Sequence, residues 1–279
     1  QMARLRYVKS TDSSRAPKST GSSIRHRVES LRAIYETEPE IARALLPRPL
    51  APANSPEIFV QFANVAMHFP DERVVEIGAA TVGVACVHEG RSGYYVLAMP
   101  MEGEFVVIGG REKYGEPKKI ATTEFSKHKD GSVNAKVTRH GITFLELDGR
   151  VGAETEGPKQ FTEYFYCYKA LPAAVPEGNE NGGFDGEVLL TMLTWERDYR
   201  SVRRVEDARI ILRESARDPL IDVPVKRLIR MELAEGASRT RGEVLRSVPG
   251  EWLAPYIVQR YDEPQEGIDV PLASEDARA

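Results

Sequence analysis

The part of this sequence best equipped for chemistry runs Gly109-Gly110-Arg111-Glu112-Lys113-Tyr114-Gly115-Glu116-Pro117-Lys118-Lys119-Ile120-Ala121. It leaves the apolar run EFVVI, and Pro117 fixes the backbone directly before two adjacent lysines. From spacing alone, Lys118 and Lys119 read as solvated charges on a turn. A lysine becomes a nucleophile only when its amine is neutral. Its pKa in water is about 10.4, and burial lowers it by up to ~3–5 units. Successive side chains of an extended chain point to opposite faces, so Lys118 and Lys119 diverge, whereas Glu116 and Lys118 can share a face. A carboxylate there favours the ammonium unless it is itself protonated, and it can move protons as a general acid or base. The plain alternative is that Glu116 points to solvent. Arg111 either pairs with Glu112 and orders the turn, or reaches inward and holds a carboxylate by a bidentate contact.

Other chemistries find little support. The five histidines, His26, His68, His88, His128 and His140, show no ligand spacing, so no metal site is expected. Gly109-Gly110 follows an apolar run without the pattern of a dinucleotide or phosphate loop. A serine nucleophile has no elbow signature. The chain has 279 residues, with 38 Lys+Arg against 42 Asp+Glu. That balance argues against nucleic acid or an anionic membrane as partner. No uncharged apolar run is long enough to span a bilayer. Cys86 and Cys167 lie in separate apolar runs and suggest no disulfide, which makes a reducing cytoplasm the default.

The elements that must position the lysines are mostly strands. Residues 1–27 read as a mobile basic arm, 28–263 as a single domain, and 264–279 as a loose acidic tail. Residues 28–46 look helical in two pieces, the second ended by Pro47 and Pro49. EIFVQFANVAMHF, AATVGVACVHEG, GYYVLAMPM and EFVVIGG are β-rich and separated by turn residues. Asp130-Gly131 signals a hairpin, and the aromatic run 161–168 suits a pleated sheet. Residues 171–186 form a long Pro/Gly/Asn-rich loop, strands then resume, and GEWLAPYIVQRYDE reads as a helix. Many strands with little βαβ alternation indicate a mainly β, antiparallel sheet or barrel with peripheral helices.

Gly110-Arg111-Glu112, four residues, then Pro117-Lys118-Lys119 resembles the signature of the acetoacetate decarboxylase-like superfamily. Leu45-Leu46-Pro47-Arg48-Pro49-Leu50 and Asp222-Val223-Pro224-Val225 resemble two further landmarks of that family, and the likeness spans roughly residues 30–230. The resemblance implies an antiparallel β cone or barrel with flanking helices and an interior cavity. It makes Lys118 the lysine that forms a Schiff base with a keto substrate, activated by desolvation or a neighbouring cation. Desolvation is expected to outweigh Lys119. The family's pair of carboxylates on preceding strands maps by counting onto Glu76 and, as a departure, onto Gln61. Its N-terminal arginine has no clean match, because Arg25 and Arg27 straddle the expected place.

These departures matter physically. Loss of CO2 is helped by negative charge or an apolar niche around the leaving carboxylate, and a glutamine would instead donate a hydrogen bond to it. The expectation is a cofactor-free lyase acting on small oxo acids and decarboxylating an acetoacetate-like acid. The rival is a pyruvate aldolase-dehydratase or hydratase using the same imine, towards which Gln61 and Glu116 both lean, and the remote alternative is a non-catalytic binder of small keto acids. The family resemblance and the basic arm together suggest a homo-oligomer.

Overall fold

The computed structural model describes residues 6–8, 25–69, 72–175, 181–264 and 266–273. Most of the expected N-terminal arm, the centre of the 171–186 loop and the last part of the tail lie outside these residues. In chain order the elements are β1 (Arg25–Glu36), α1 (Pro39–Ala44), β2 (Ala51–Pro52), β3 (Glu57–His68), β4 (Val74–His88), β5 (Arg91–Met101), α2 (Glu104–Tyr114), β6 (Lys118–Ile120), β7 (Thr122–Lys127), β8 (Ser132–Arg139), β9 (Ile142–Glu154), β10 (Gln160–Pro172), β11 (Phe184–Leu212) and β12 (Arg227–Val248). Three 3-10 turns between Gly250 and Tyr261 follow. No helix among the described residues is long and apolar enough to cross a membrane.

One sheet carries the fold, in the order β10-β5-β4-β3-β1-β12-β11-β9-β8-β7. Because β10 also pairs with β11, its first seven strands close into a barrel. The pairings are antiparallel except β5 with β10 and β5 with β6. The long β11 gives its first half to β10 and its second to β9, so β7–β9 continue past the closed ring. The expected hairpin at Asp130-Gly131 joins β7 to β8, with Gly131 at φ 86°.

Side-chain alternation separates two faces. Phe59 on β3 lies 5.3 Å from Phe165 on β10, two strands that are not neighbours in the ring, so the contact crosses the interior. Ile34, Val96, Met99, Leu193 and Trp195 join this inner cluster. The opposite face buries Leu31, Tyr35, Val60, Val82 and Tyr168 in a larger cluster under β8, β9 and the C-terminal turns.

Three expected elements change type. Residues 28–36 belong to strand β1 rather than a helix, because both faces of the strand are covered and its apolar residues do not alternate. EFVVIGG is the start of helix α2 rather than a strand. It buries Val107, exposes Phe105 and Ile108, and closes on Gly115 at φ 70°. The segment expected as a C-terminal helix is a chain of 3-10 turns, and Pro255, which has no N–H to donate, sits in the second.

Candidate active site

Helix α2 ends against β10, and the chain then turns into β6. The Gly115 N–H closes the helix on Arg111 O at 3.0 Å. A Cβ on Gly115 would lie 2.1 Å from Tyr168 O, so the left-handed turn and the close approach both require glycine. Met99 pairs with Lys118 and Pro100 with Lys119, which fixes the register of β6 on β5. Met99 faces the barrel interior, so Lys118 does too and Lys119 points away.

The Lys118 amine lies 2.9 Å from Glu116 Oε2 and 3.5 Å from Val106 O. Lys118 is 8% exposed and Glu116 7%. Glu116 therefore does not face solvent; it shares the inner face with the lysine, as two-residue spacing allows. Burial pushes the nearby Cys167 thiol well above its ordinary range, and Glu116 adds to this, so Cys167 is a neutral wall. The backbone of α2 lies directly over the pair. A Cβ on Gly110 would come within 2.2 Å of Glu116 Oε2 and 2.5 Å of Lys118 Nζ. A Gly110→Ala variant is expected to keep its fold, since alanine favours a helix interior by about 1 kcal/mol. It should lose covalent trapping at Lys118 by about 100-fold, the usual result of a displacement near 1 Å. Comparing trapping rate with melting temperature checks both halves.

Lys119 serves a separate cluster. Its amine donates to Arg217 O at 2.8 Å and pairs with Asp262 at 2.8 Å and Asp218 at 3.3 Å. Arg139 bonds both of these carboxylates. Burial raises the Asp262 carboxyl, but hydrogen bonds from Arg139 and Lys119 outweigh it and hold the group well below the usual range. Two carboxylates thus meet the Lys119 charge outside the barrel. Arg111 neither pairs with Glu112 nor enters the interior. Its guanidinium donates to Lys118 O at 2.8 Å and Arg260 O at 3.0 Å and stacks on Tyr261, pinning the C-terminal turns to β6.

Gln61 is buried on the inner face of β3, where its Oε1 accepts from Arg197 Nη2 at 3.2 Å. Arg197 also bonds Glu163 Oε2 at 2.9 Å and Ser238 Oγ at 3.3 Å, and Glu163 pairs in turn with Arg32. Burial works against the Glu163 and Arg32 charges, but the opposed charges outweigh it. The Glu163 carboxyl is held low and the Arg32 guanidinium high, with Glu232 assisting the latter. Arg32 comes from β1, Glu163 from β10 and Arg197 from β11, so this network also crosses the barrel.

Glu76 requires a correction. It is exposed, opposite Ala66, and has the parity of Ala80, Val82 and Val84, which pack in the outer cluster. It lines a cleft of about 550 Å³ with Glu29, Glu102, Lys127 and Glu235, and Arg27 stands in the same cleft. This cleft is therefore not at the lysine. Strand register places Thr81, 3% exposed, opposite Gln61 on β4. The two facing inner positions thus carry Gln and Thr, not a pair of acids. Sequence reasoning does not single out His26, Arg32, Glu163 or Arg197. The available signal was a two-residue period in which a charge replaces an apolar residue, as in Leu193, Trp195, Arg197, Tyr199. Among the described residues no group of three His, Cys, Asp or Glu is arranged to hold a metal.

Comparison with known proteins identifies relatives in sequence and in fold. The chain is 33% identical over 122 residues to an acetoacetate decarboxylase of Ralstonia nicotianae, covering 41% of this chain and 48% of that protein. A Burkholderia vietnamiensis acetoacetate decarboxylase is 30% identical over the same length, with the same coverage. The chain thus spans about half the length of the curated relatives it matches. Its fold resembles a solved acetoacetate decarboxylase at TM-score 0.64, with 19% identity over 81% of this chain and 90% of that one. It also resembles the enduracididine biosynthesis enzyme MppR, solved with the condensation product of pyruvate and imidazole 4-carboxaldehyde, at TM-score 0.67, with 15% identity over 79% and 88%. The family described as acetoacetate decarboxylase matches residues 9–248, and the chain belongs to that family.

Proposed function

We propose that this protein is a Schiff-base enzyme acting on small 2-oxo acids such as pyruvate, and that it makes and uses an enamine rather than expelling CO2. The observation that carries the reading is the buried Lys118–Glu116 pair in a barrel whose facing positions 61 and 81 hold no carboxylate. Glu116 takes the proton of the Lys118 ammonium and frees the amine to attack the keto carbon. The same proton then goes to the carbinolamine hydroxyl, which leaves as water and gives the iminium. The iminium draws electrons from an adjacent C–H bond, and the resulting enamine adds to an aldehyde. Loss of water completes an aldolase-dehydratase sequence.

The carboxylate of a 2-oxo acid stays in place throughout, so the site needs donors for it. The Gln61 amide suits that task, because Arg197 occupies its Oε1 and leaves its NH2 as the outward donor. Decarboxylation of a 3-oxo acid through the same iminium is the second reading, favoured by the names of the curated relatives. Borohydride trapping with pyruvate and with acetoacetate, read by mass at Lys118, separates the two when paired with a CO2 assay. Adducts with both and no CO2 above the background rate are expected. Rapid CO2 release from acetoacetate would favour the decarboxylase, and adducts with neither would leave only a binder.

A further inference from the structure

We propose that His26 is a further catalytic residue of this site, the group that takes the proton from the substrate carbon next to the iminium. The inference rests on the Schiff-base reading above and extends it to a proton transfer that Glu116 cannot readily serve. Glu116 is committed to nitrogen, held at 2.9 Å from the amine on the same strand end. The carbon acid lies beyond the keto carbon and needs a base from another wall.

The alternation of β1 supplies one. Ile34 packs in the inner cluster and Arg32 reaches Glu163 across the barrel, so Ser30, Val28 and His26 continue the inner face. His26 pairs with Ser238 on β12 and Met67 on β3. Ser238 accepts from Arg197, which holds Gln61, so the imidazole borders the wall proposed to hold the substrate carboxylate. Its Nδ1 is buried without a hydrogen-bond partner, leaving one ring nitrogen uncommitted.

The ring also senses the amine. Burial, then the charge of Lys118, then that of His68 lower the His26 pKa below its ordinary value. The charged groups around it are Lys118 with Glu116 from the β6 side, His68 from β3, and Arg197 behind Ser238 from β11. At neutral pH the ring is therefore uncharged and holds a lone pair. In the step, the imidazole takes the proton, the C–H electron pair becomes the new C=C bond, and the C=N pair moves onto nitrogen. The imidazolium proton goes to the alkoxide formed when the enamine adds to the aldehyde. The ring then takes a second proton from the same carbon and passes it to the new hydroxyl, which leaves as water and returns the ring to its starting state.

The experiment is deuterium exchange of the pyruvate methyl group in D2O, followed by NMR, beside borohydride trapping of the same samples. In His26→Ala, exchange is expected to fall on the order of 100-fold or more while trapping at Lys118 stays within a few-fold. Added imidazole is expected to restore part of the exchange. Because the His26 pKa is lowered, wild-type exchange should decline only at a pH beneath the ordinary imidazole value of about 6.5, and His26→Gln should lack that decline. Unchanged exchange in both variants overturns the proposal, as does a joint fall of trapping and exchange without imidazole rescue. A wild type that forms no adduct with pyruvate overturns the Schiff-base reading itself, and this inference with it.

Discussion

A Lys118→Met variant is expected to form no adduct with any oxo acid and to lose turnover by roughly 10⁴-fold or more, the scale seen when a covalent nucleophile is removed. Methionine roughly fills the volume of the lysine stem under Gly110, so the barrel should close as before. The loss will not be purely chemical, because Glu116 is then buried beside no cation. The double variant Lys118→Met/Glu116→Gln removes that complication: it should recover the stability lost in the single variant and stay inert. Glu116→Gln alone keeps the amine but lacks the group that relays the proton to the departing hydroxyl, and should lose about 10²–10⁴-fold. Trapping by mass with thermal melting of the three variants checks the set. Residual adduct in Lys118→Met would move the nucleophile elsewhere.

How much of this was legible in the sequence depends on whether the information is local. Lys118 and Glu116 lie two residues apart behind a proline, so their shared face follows from strand geometry once β6 is extended. Lys119 diverges by the same rule, and the Asp130-Gly131 hairpin is a local signal as well. The facing positions on β3 and β4 depend instead on hairpin register. Counting back with a short insertion allowed in the hairpin leads to Glu76, whereas the pairing puts Thr81 opposite Gln61 and turns Glu76 outward. A shift by an odd number of residues moves a side chain to the other face, and counting cannot detect it.

The misread elements have a related cause. Residues Leu31, Ala33, Ile34 and Tyr35 are all buried, on both faces of β1, and their spacing imitates a helical stripe. Phe105-Val106-Val107-Ile108 reads as a strand because a four-residue apolar run fits either element. Its fate is set by the glycines at 103 and 115, whose positive φ values of 85° and 70° frame a helix. His26, Arg32, Glu163 and Arg197 come from three strands far apart in sequence, and only closure of the barrel brings them to a common interior.

That closure makes the second large expectation one of stability. Glu163→Ala is expected to cost about 3–5 kcal/mol, because it strands two buried guanidiniums that share a single carboxylate. At this chain length the melting temperature should fall by roughly 6–20 °C. The sign with pH follows from the depressed Glu163 carboxyl. A group held below its unfolded value of about 4.3 stabilises the fold above that pH, and the contribution fades as pH falls through the folded value. The difference in stability between wild type and Glu163→Ala should therefore be largest near neutrality and shrink in acid. Melting both proteins from pH 7 down to 3 tests this. A constant difference would mean that the network contributes by packing alone. In that case Arg197 would not need Glu163 to hold Gln61 in place, and Glu163→Ala should leave the KM for pyruvate unchanged. With the network intact as described, losing Glu163 releases Arg197 and with it the Gln61 amide, so KM should rise while kcat changes less.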